Sequence, residues 1–493
     1  MASVKAHNGS HKSETFDVLI VGAGISGINC AYRLQSQLPG TTFTVLEGRG
    51  DVGGTWDLFR YPGIRSDSDL YTFGFAWELW PYETPIAEGP LIKEYMKNCI
   101  TKYSLDRYLR FHHKVLAADW SWETEQWKVT AEHDGQTKEF RASWLILGTG
   151  YYNYDNPAKT VIPGLENFKG KIIHPQHWPE DYDHSGKKMA VIGSGATAIT
   201  LIPSLSKTAA AVTMVQRSPS YVASLTNSSP KQSWVTKLLP KLYGGHWQRV
   251  NYMLRIHIVV LFCKYFPLHA RGLFRQRTIK QLPPRIPHDP HFEPEYTPWQ
   301  QRLCISPDGD FFQALRDNPT TNVVTGQIDT VTENSIQMQD GTTIEADAIV
   351  TATGLYMELG GNIAVTVNGE KMDWAGRLLW NGAMVQDIPN MMYMIGYTNA
   401  SWTLGADDTA HVLIRLRKYM ESKGVTTAVP REPPEGVNGT QRMWQLSSTY
   451  SIDAQSRLPK YGNVGPWRPR KSPPTDWLHA IWGDIVTGLH FSA

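Results

Sequence analysis

The chain is poor in cysteine, in long apolar runs and, over one wide stretch, in acidic residues. Its 493 residues include only 4 cysteines, at positions 30, 99, 263 and 304. No two lie closer than 41 residues, which excludes a CxxC pair, a zinc knuckle and a redox-active dithiol. Reduced, buried thiols are expected, and no metal site. The longest uninterrupted apolar run is the six residues from Ile258 to Cys263, against the roughly 20 that a membrane-spanning helix needs. The first 15 residues are polar, without the apolar stretch of a secretion signal, and read as a flexible tail. Together these absences give the expectation of a soluble, cytoplasmic protein.

Between His184 and His288 there is no Asp or Glu, although that stretch holds fifteen Lys and Arg. Over the whole chain 48 basic residues meet 46 acidic ones, a net charge of +2, and no nucleic-acid partner is expected. For residues 231–285 the favoured reading is a solvated basic face over a helical core, with a site for anionic phosphates or for a membrane surface as the alternative. A content of 41% hydrophobic and 11% aromatic residues excludes a disordered chain and supports several packed domains.

What the chain does contain is a duplicated glycine turn. Residues 17–21 form a continuous branched apolar strand that runs into Gly22-Ala23-Gly24-Ile25-Ser26-Gly27 and then a helix with Ile28, Ala31, Leu34 and Leu38 on one face. In such a cradle the first glycine makes the tight turn, the second admits a pyrophosphate and the third lets helix and strand approach. Glu47 closes the next strand, predicted over 42–46, twenty residues past Gly27. There a carboxylate can accept both hydroxyls of an unphosphorylated ribose.

The second cradle is the strand at 189–192 followed by Gly193-Ser194-Gly195-Ala196-Thr197-Ala198, with Ile199 continuing the helix. After its next strand, Arg217 and Ser218 stand where the first cradle has Glu47. A guanidinium there can fork onto a 2′-phosphate that a carboxylate would repel. Opposite ribose signatures imply two dinucleotides on one chain, with FAD held by the first cradle and NADPH exchanging at the second. The expected fold class is α/β: two Rossmann-like dinucleotide-binding domains with a helical insert. Residues 16–150 and 340–493 are expected to form the FAD-binding domain and 160–219 and 298–339 the NADPH-binding domain. Residues 220–297 are expected to form the insert. Disulfide reductases share this plan but need a dithiol, so oxygen is the remaining common electron acceptor.

The stretch with Phe168, Gly170, His174, Trp178 and Pro179 resembles the FxGxxxHxxxW(P/D) fingerprint of the Baeyer–Villiger, or class B flavin, monooxygenases. Gly53-Gly54-Thr55-Trp56, Arg60-Tyr61-Pro62-Gly63 and Ala352-Thr353-Gly354 also resemble that family and stand in its order. Within it, the text around residues 55–67, 150–154 and 396–402 is closest to the ethionamide-activating type. The resemblance implies that NADPH reduces FAD, that oxygen adds at flavin C4a, and that the C4a-peroxyflavin attacks a ketone carbonyl. The product is an ester or lactone, and a sulfide can be oxygenated instead. A flavin monooxygenase that oxygenates nitrogen or sulfur with little ketone activity is the alternative, and a non-catalytic flavoprotein scaffold is a further one.

The resemblance also carries residue roles. Arg302 is the implied catalytic cation that keeps the peroxyanion deprotonated, and Asp67 is its orienting partner. Ser26 is implied beside the FAD pyrophosphate and Glu47 at the ribose. Thr55, Trp56, Asp57 and Leu58, with Asp67, are implied along the phosphate and isoalloxazine, and Val115 at the adenine. NADPH is implied to use Gly193 to Ile199 with Arg217 and Ser218. Many family members carry Lys before the catalytic Arg, where this chain has Gln301, which implies looser discrimination for NADPH. His174 is expected to be a hinge or packing residue, and Trp402 and Tyr397 to be core, with a place in the pocket lining as the alternative.

Overall fold

The computed structural model describes residues 13–228, 246–301, 303–397, 400–432, 435–444 and 448–493. The two glycine turns generate two sheets. Val18, Leu19 and Ile20 are fully buried, and a strand covered on both faces needs no polar alternation. Accordingly Glu14–Val21 lies inside a nine-stranded sheet, parallel to both Phe43–Leu46 and Gln136–Leu147. An antiparallel meander of Lys114–Ser121, Gln126–His133 and Gln136–Leu147 extends it, and Met391–Tyr393 joins it from far along the chain. The helix Ile25–Gln37 follows the first turn and packs on the helix Trp402–Lys423.

The second sheet has five parallel strands in the order Thr321–Thr325, Ala211–Gln216, Lys188–Ile192, Ala348–Thr351, Lys171–Ile173. Two expectations change here. Residues 340–493 were expected with the first cradle, but Ala348–Thr351 is an inner strand of the second sheet. Sheet order depends on partners more than 150 residues away (Lys188 pairs its backbone with Asp347, for example), and no local pattern reports it. Residues 222–225, expected to begin the helical insert, instead form the strand Val222–Leu225, parallel to Cys304–Pro307. This pairing brings the two ends of the insert together. Between them stand the helices His246–Tyr265 and Pro267–Ile279.

The C-terminal residues fold back onto the preceding elements. Leu489–Ser492 pairs antiparallel with Thr427–Pro430, and the helix Pro473–Trp482 packs against Trp402–Lys423. The four cysteines are free and buried.

Candidate functional site

Both cradles have the close approach that a dinucleotide turn requires. A Cβ on Gly27 would lie 1.9 Å from the Gly22 carbonyl oxygen, so helix and strand could not meet with any larger residue. In the second cradle Gly193 has φ +139°, and a Cβ there would lie 2.2 Å from the Ala352 oxygen. Gly195 faces open space, and Ala198 and Ile199 are buried in the core beneath it. These backbones leave room at the helix N-termini where a pyrophosphate binds, so the residues present fit the two dinucleotides that the sequence implies.

Glu47 is buried at the end of its strand. Its two oxygens accept the backbone N–H groups of Ala23 at 2.7 Å and Arg49 at 2.9 Å, which fixes the glycine turn. Burial pushes its carboxyl above the usual range, and these two N–H groups offset part of the effect. The backbone N–H of His113 donates to the Glu47 carbonyl. That contact draws in the start of Lys114–Ser121, whose pairing slips between Val115 and Ala117. A slip of this kind locally interrupts the ladder next to Val115.

A cavity of about 520 Å³ lies between the two cradles. Gly24, Ser26, Thr55 and Trp56 line it from the first cradle, Ala196 and Thr197 from the second, and Arg65 and Asp67 from the segment after Gly63. It sits outside the carboxyl ends of the parallel strands, where open α/β sheets bind ligands. The implied catalytic Arg302 lies outside the described residues, and its neighbours Gln301 and Leu303 line the cavity.

The helical turn Thr55–Leu58 divides its side chains. Thr55 Oγ1 is 2.6 Å from the Tyr152 hydroxyl, and Trp56 meets Phe73 edge to face. Asp57 and Leu58 lie outside this cavity's lining. Asp57 turns into a cationic cluster, with Arg49 Nε at 2.7 Å and Lys93 and Arg60 on its other oxygen. Burial would raise its carboxyl, but the hydrogen bonds from Lys93 and Arg49 outweigh this and hold it below the usual range. Leu58 packs in the second-cradle core. At 100° per residue, four consecutive helical residues cannot share one face.

Trp402 and Tyr397 both line the cavity, and Tyr397 is also buried while Trp402 packs against the core. Trp402 Nε1 donates to Ser26 Oγ at 2.8 Å, and its ring stacks on Tyr151 at 5.0 Å between centroids. No sequence spacing links residues 26, 151 and 402, so only the fold could reveal this wall. In the second cradle Ser194 Oγ donates to the Ser218 carbonyl at 2.8 Å, and Arg217 is exposed.

His174 is absent from the cavity lining. Its Nδ1 accepts the Gln176 backbone N–H at 3.2 Å and caps the short turn Pro175–His177. Burial pulls its ring pKa down to about 4, so it stays neutral at working pH.

Known proteins resemble the chain over nearly its full length. Residues 85–238 match the flavin-binding monooxygenase-like family, and residues 20–80 match an NAD(P)-binding Rossmann-like domain. The FAD-containing monooxygenase EthA of Mycolicibacterium smegmatis is 42% identical over 97% of this chain and 98% of its own length. The probable FAD-binding monooxygenase AlmA of Acinetobacter baylyi is 42% identical over 92% of this chain and 91% of its own. Among solved structures, a Rhodococcus cyclohexanone monooxygenase bound to NADP+ covers 98% of this chain and 100% of its own, with a TM-score of 0.75 at 20% identity. That likeness concerns the fold. The identity to EthA, sustained from end to end across both cradles and the cavity between them, shows that the chain belongs to the flavin-binding monooxygenase-like family of FAD-dependent monooxygenases.

Proposed function

We propose that the protein is an NADPH-dependent Baeyer–Villiger monooxygenase, inserting one oxygen atom of O2 beside a ketone carbonyl to give an ester or lactone. The observation that carries this reading is the single cavity walled by both cradles, with Asp67 and the flanks of Arg302 in its lining. Bound FAD would supply the hydride acceptor and the oxygen-activating centre, and NADPH the hydride.

The chain's own residues bind, orient and shield. Gly22, Gly24, Gly27 and Ser26 would hold the FAD pyrophosphate, Glu47 its ribose, and the backbone at Val115 its adenine. Thr55, Trp56 and Asp67 would face the flavin ring. Gly193 to Ile199 would cradle NADPH, with Arg217 and Ser218 at the 2′-phosphate. Arg302 would keep a fixed positive charge beside the reacting oxygen, since a guanidinium does not lose its proton at working pH. Asp67 would orient that guanidinium. Met253, Val260 and Leu261 of the insert helix give the cavity an apolar wall, which keeps water from the reacting atoms. The four free, buried cysteines suit a reducing cytoplasm.

Incubation with NADPH, isotopically labelled O2 and panels of ketones, sulfides and amines tests the reading. Labelled esters or lactones are the expected products. Oxygenation confined to sulfides or amines would replace the ketone reaction by the nitrogen- or sulfur-oxygenating one.

A further inference from the structure

The helix His246–Tyr265 is apolar on two sides. One stripe, with Met253, His257 and Val260, lines the cavity. The opposite stripe runs through Leu254, Ile258, Phe262 and Tyr265 at helical spacing, and Phe266 and Leu268 continue it past the bend into Pro267–Ile279. These six side chains are each between 37% and 75% exposed. A helix with one face in a protein wall ordinarily turns polar residues to solvent, and a contiguous exposed apolar patch marks an interaction site.

The charges carried by the two helices themselves have one sign. From residue 246 to residue 279 there is no Asp or Glu. Arg255, Lys264, Arg277 and Lys280 form no ion pair with a carboxylate among the described residues. Arg271 differs in that it is neutralised by Glu293. A second copy of the chain would press like charges together at this face, whereas an anionic surface complements them. No single helix among the described residues is long and apolar enough to cross a membrane, and the chain turns by 113° between the two helices. That arrangement suits helices lying in the interface plane of a bilayer.

We propose that the outward face of the two insert helices docks on an anionic lipid bilayer and brings the cavity rim to the membrane surface. Leu261 and Lys264 belong both to the cavity lining and to the exposed side of the helix. An apolar substrate dissolved in the bilayer would therefore reach the cavity without crossing water. The docking surface stands apart from the oxygen chemistry and holds whichever atom is oxygenated.

Co-sedimentation of the full-length flavoprotein tests this, using vesicles of phosphatidylcholine alone or mixed with phosphatidylglycerol, at low and high salt. Each cation near a negative surface strengthens binding about fivefold. At low salt the anionic vesicles should therefore bind at least about tenfold more protein, with the excess lost at high salt. Ile258→Asp combined with Phe262→Asp should reduce binding about tenfold or more while keeping the bound-flavin spectrum. If that variant does not fold, Ile258→Cys carrying a polarity-sensitive dye should shift to the blue on anionic vesicles. Absence of sedimentation, equal binding to both vesicle types, or an unshifted dye would overturn the proposal. So would self-association through this face, abolished by the aspartates, in place of vesicle binding.

Discussion

Arg65 grips Asp310 across the two nucleotide domains. Both guanidinium Nη atoms reach the carboxylate, Nη2 at 3.2 Å from Oδ1, and Ser306 Oγ donates to the same carboxylate at 2.8 Å. Arg65 belongs to the segment between Gly63 and Asp67 in the cavity wall, whereas Asp310 opens the helix Asp310–Asp317 of the second domain. The pair therefore ties the cavity wall to that helix, alongside other cross-contacts such as Arg60 with Glu180.

Removing the acidic partner should expose that role. In Asp310→Ala the mostly buried guanidinium of Arg65 keeps its charge without a counter-charge. Discounted for partial exposure of the pair, a loss of about 1–3 kcal/mol is expected in denaturant unfolding. Hydride transfer from NADPH, followed by bleaching of the flavin absorbance, should slow as the domains lose register. Unchanged stability and unchanged bleaching would remove the pair from any structural role.

A second contact ties the C-terminal tail to the cavity. The Tyr397 hydroxyl lies 3.2 Å from Asp408 Oδ2 and 2.8 Å from Asp476 Oδ2. One hydroxyl proton cannot serve two carboxylates, and a proton on Asp408 satisfies the cluster. Burial pushes the Asp408 carboxyl up to about 7, opposed by the Arg470 charge. A carboxyl raised in the fold binds more protons folded than unfolded between its two pKa values. Its contribution is therefore full below the unfolded value, near 4, and lost as pH rises through about 7. Asp408→Asn should remove that loss. Relative to the parent, the variant should gain more than about 1 kcal/mol between about pH 5 and pH 8. A constant difference across that range would show that Asp408 does not titrate with folding.

The sequence exposed what is local and hid what is distant. The strand, glycine turn and helix of each cradle are contiguous text, and so are Glu47 and Arg217, the residues proposed at the two riboses. The wall that Trp402, Ser26 and Tyr151 build has no such text, because three segments each more than a hundred residues from the next supply it. Ala348–Thr351 was misassigned for the same reason: an apolar strand states that it is buried but not in which sheet. The partners of Asp57 are hidden on a finer scale. A motif names four consecutive residues, while a helical turn sends them in four directions, and the cations that claim Asp57 come from Arg49 and Lys93.

His174 gives a test of a residue that invites a chemical role. Its Nδ1 is occupied by the Gln176 N–H and its pKa is about 4. Asn can accept the same backbone hydrogen bond. His174→Asn should therefore keep the shape of the activity–pH profile between about pH 6 and pH 9, at a stability cost of about 1 kcal/mol. Loss of one limb of that profile would make His174 an acid–base group after all.

Arg217 should set the choice between the two nicotinamide dinucleotides. Its guanidinium is exposed and makes one long hydrogen bond, 3.4 Å to Thr449 Oγ1, which leaves it free to turn onto a 2′-phosphate. Gln301, in the cavity wall, is neutral and adds no second cation. A charge-assisted hydrogen bond contributes about 1.5–3 kcal/mol, so Arg217→Ala should raise KM for NADPH about tenfold or more. NADH lacks the phosphate, and its KM should hardly move. Arg217→Glu should go further, because its carboxylate repels the phosphate while accepting ribose hydroxyls, the role proposed for Glu47 in the first cradle. Steady-state kinetics with both dinucleotides decide the matter. Equal rises for the two would mean that Arg217 supports the cradle rather than reads the phosphate, and the assignment of NADPH to this site would lose its chief support.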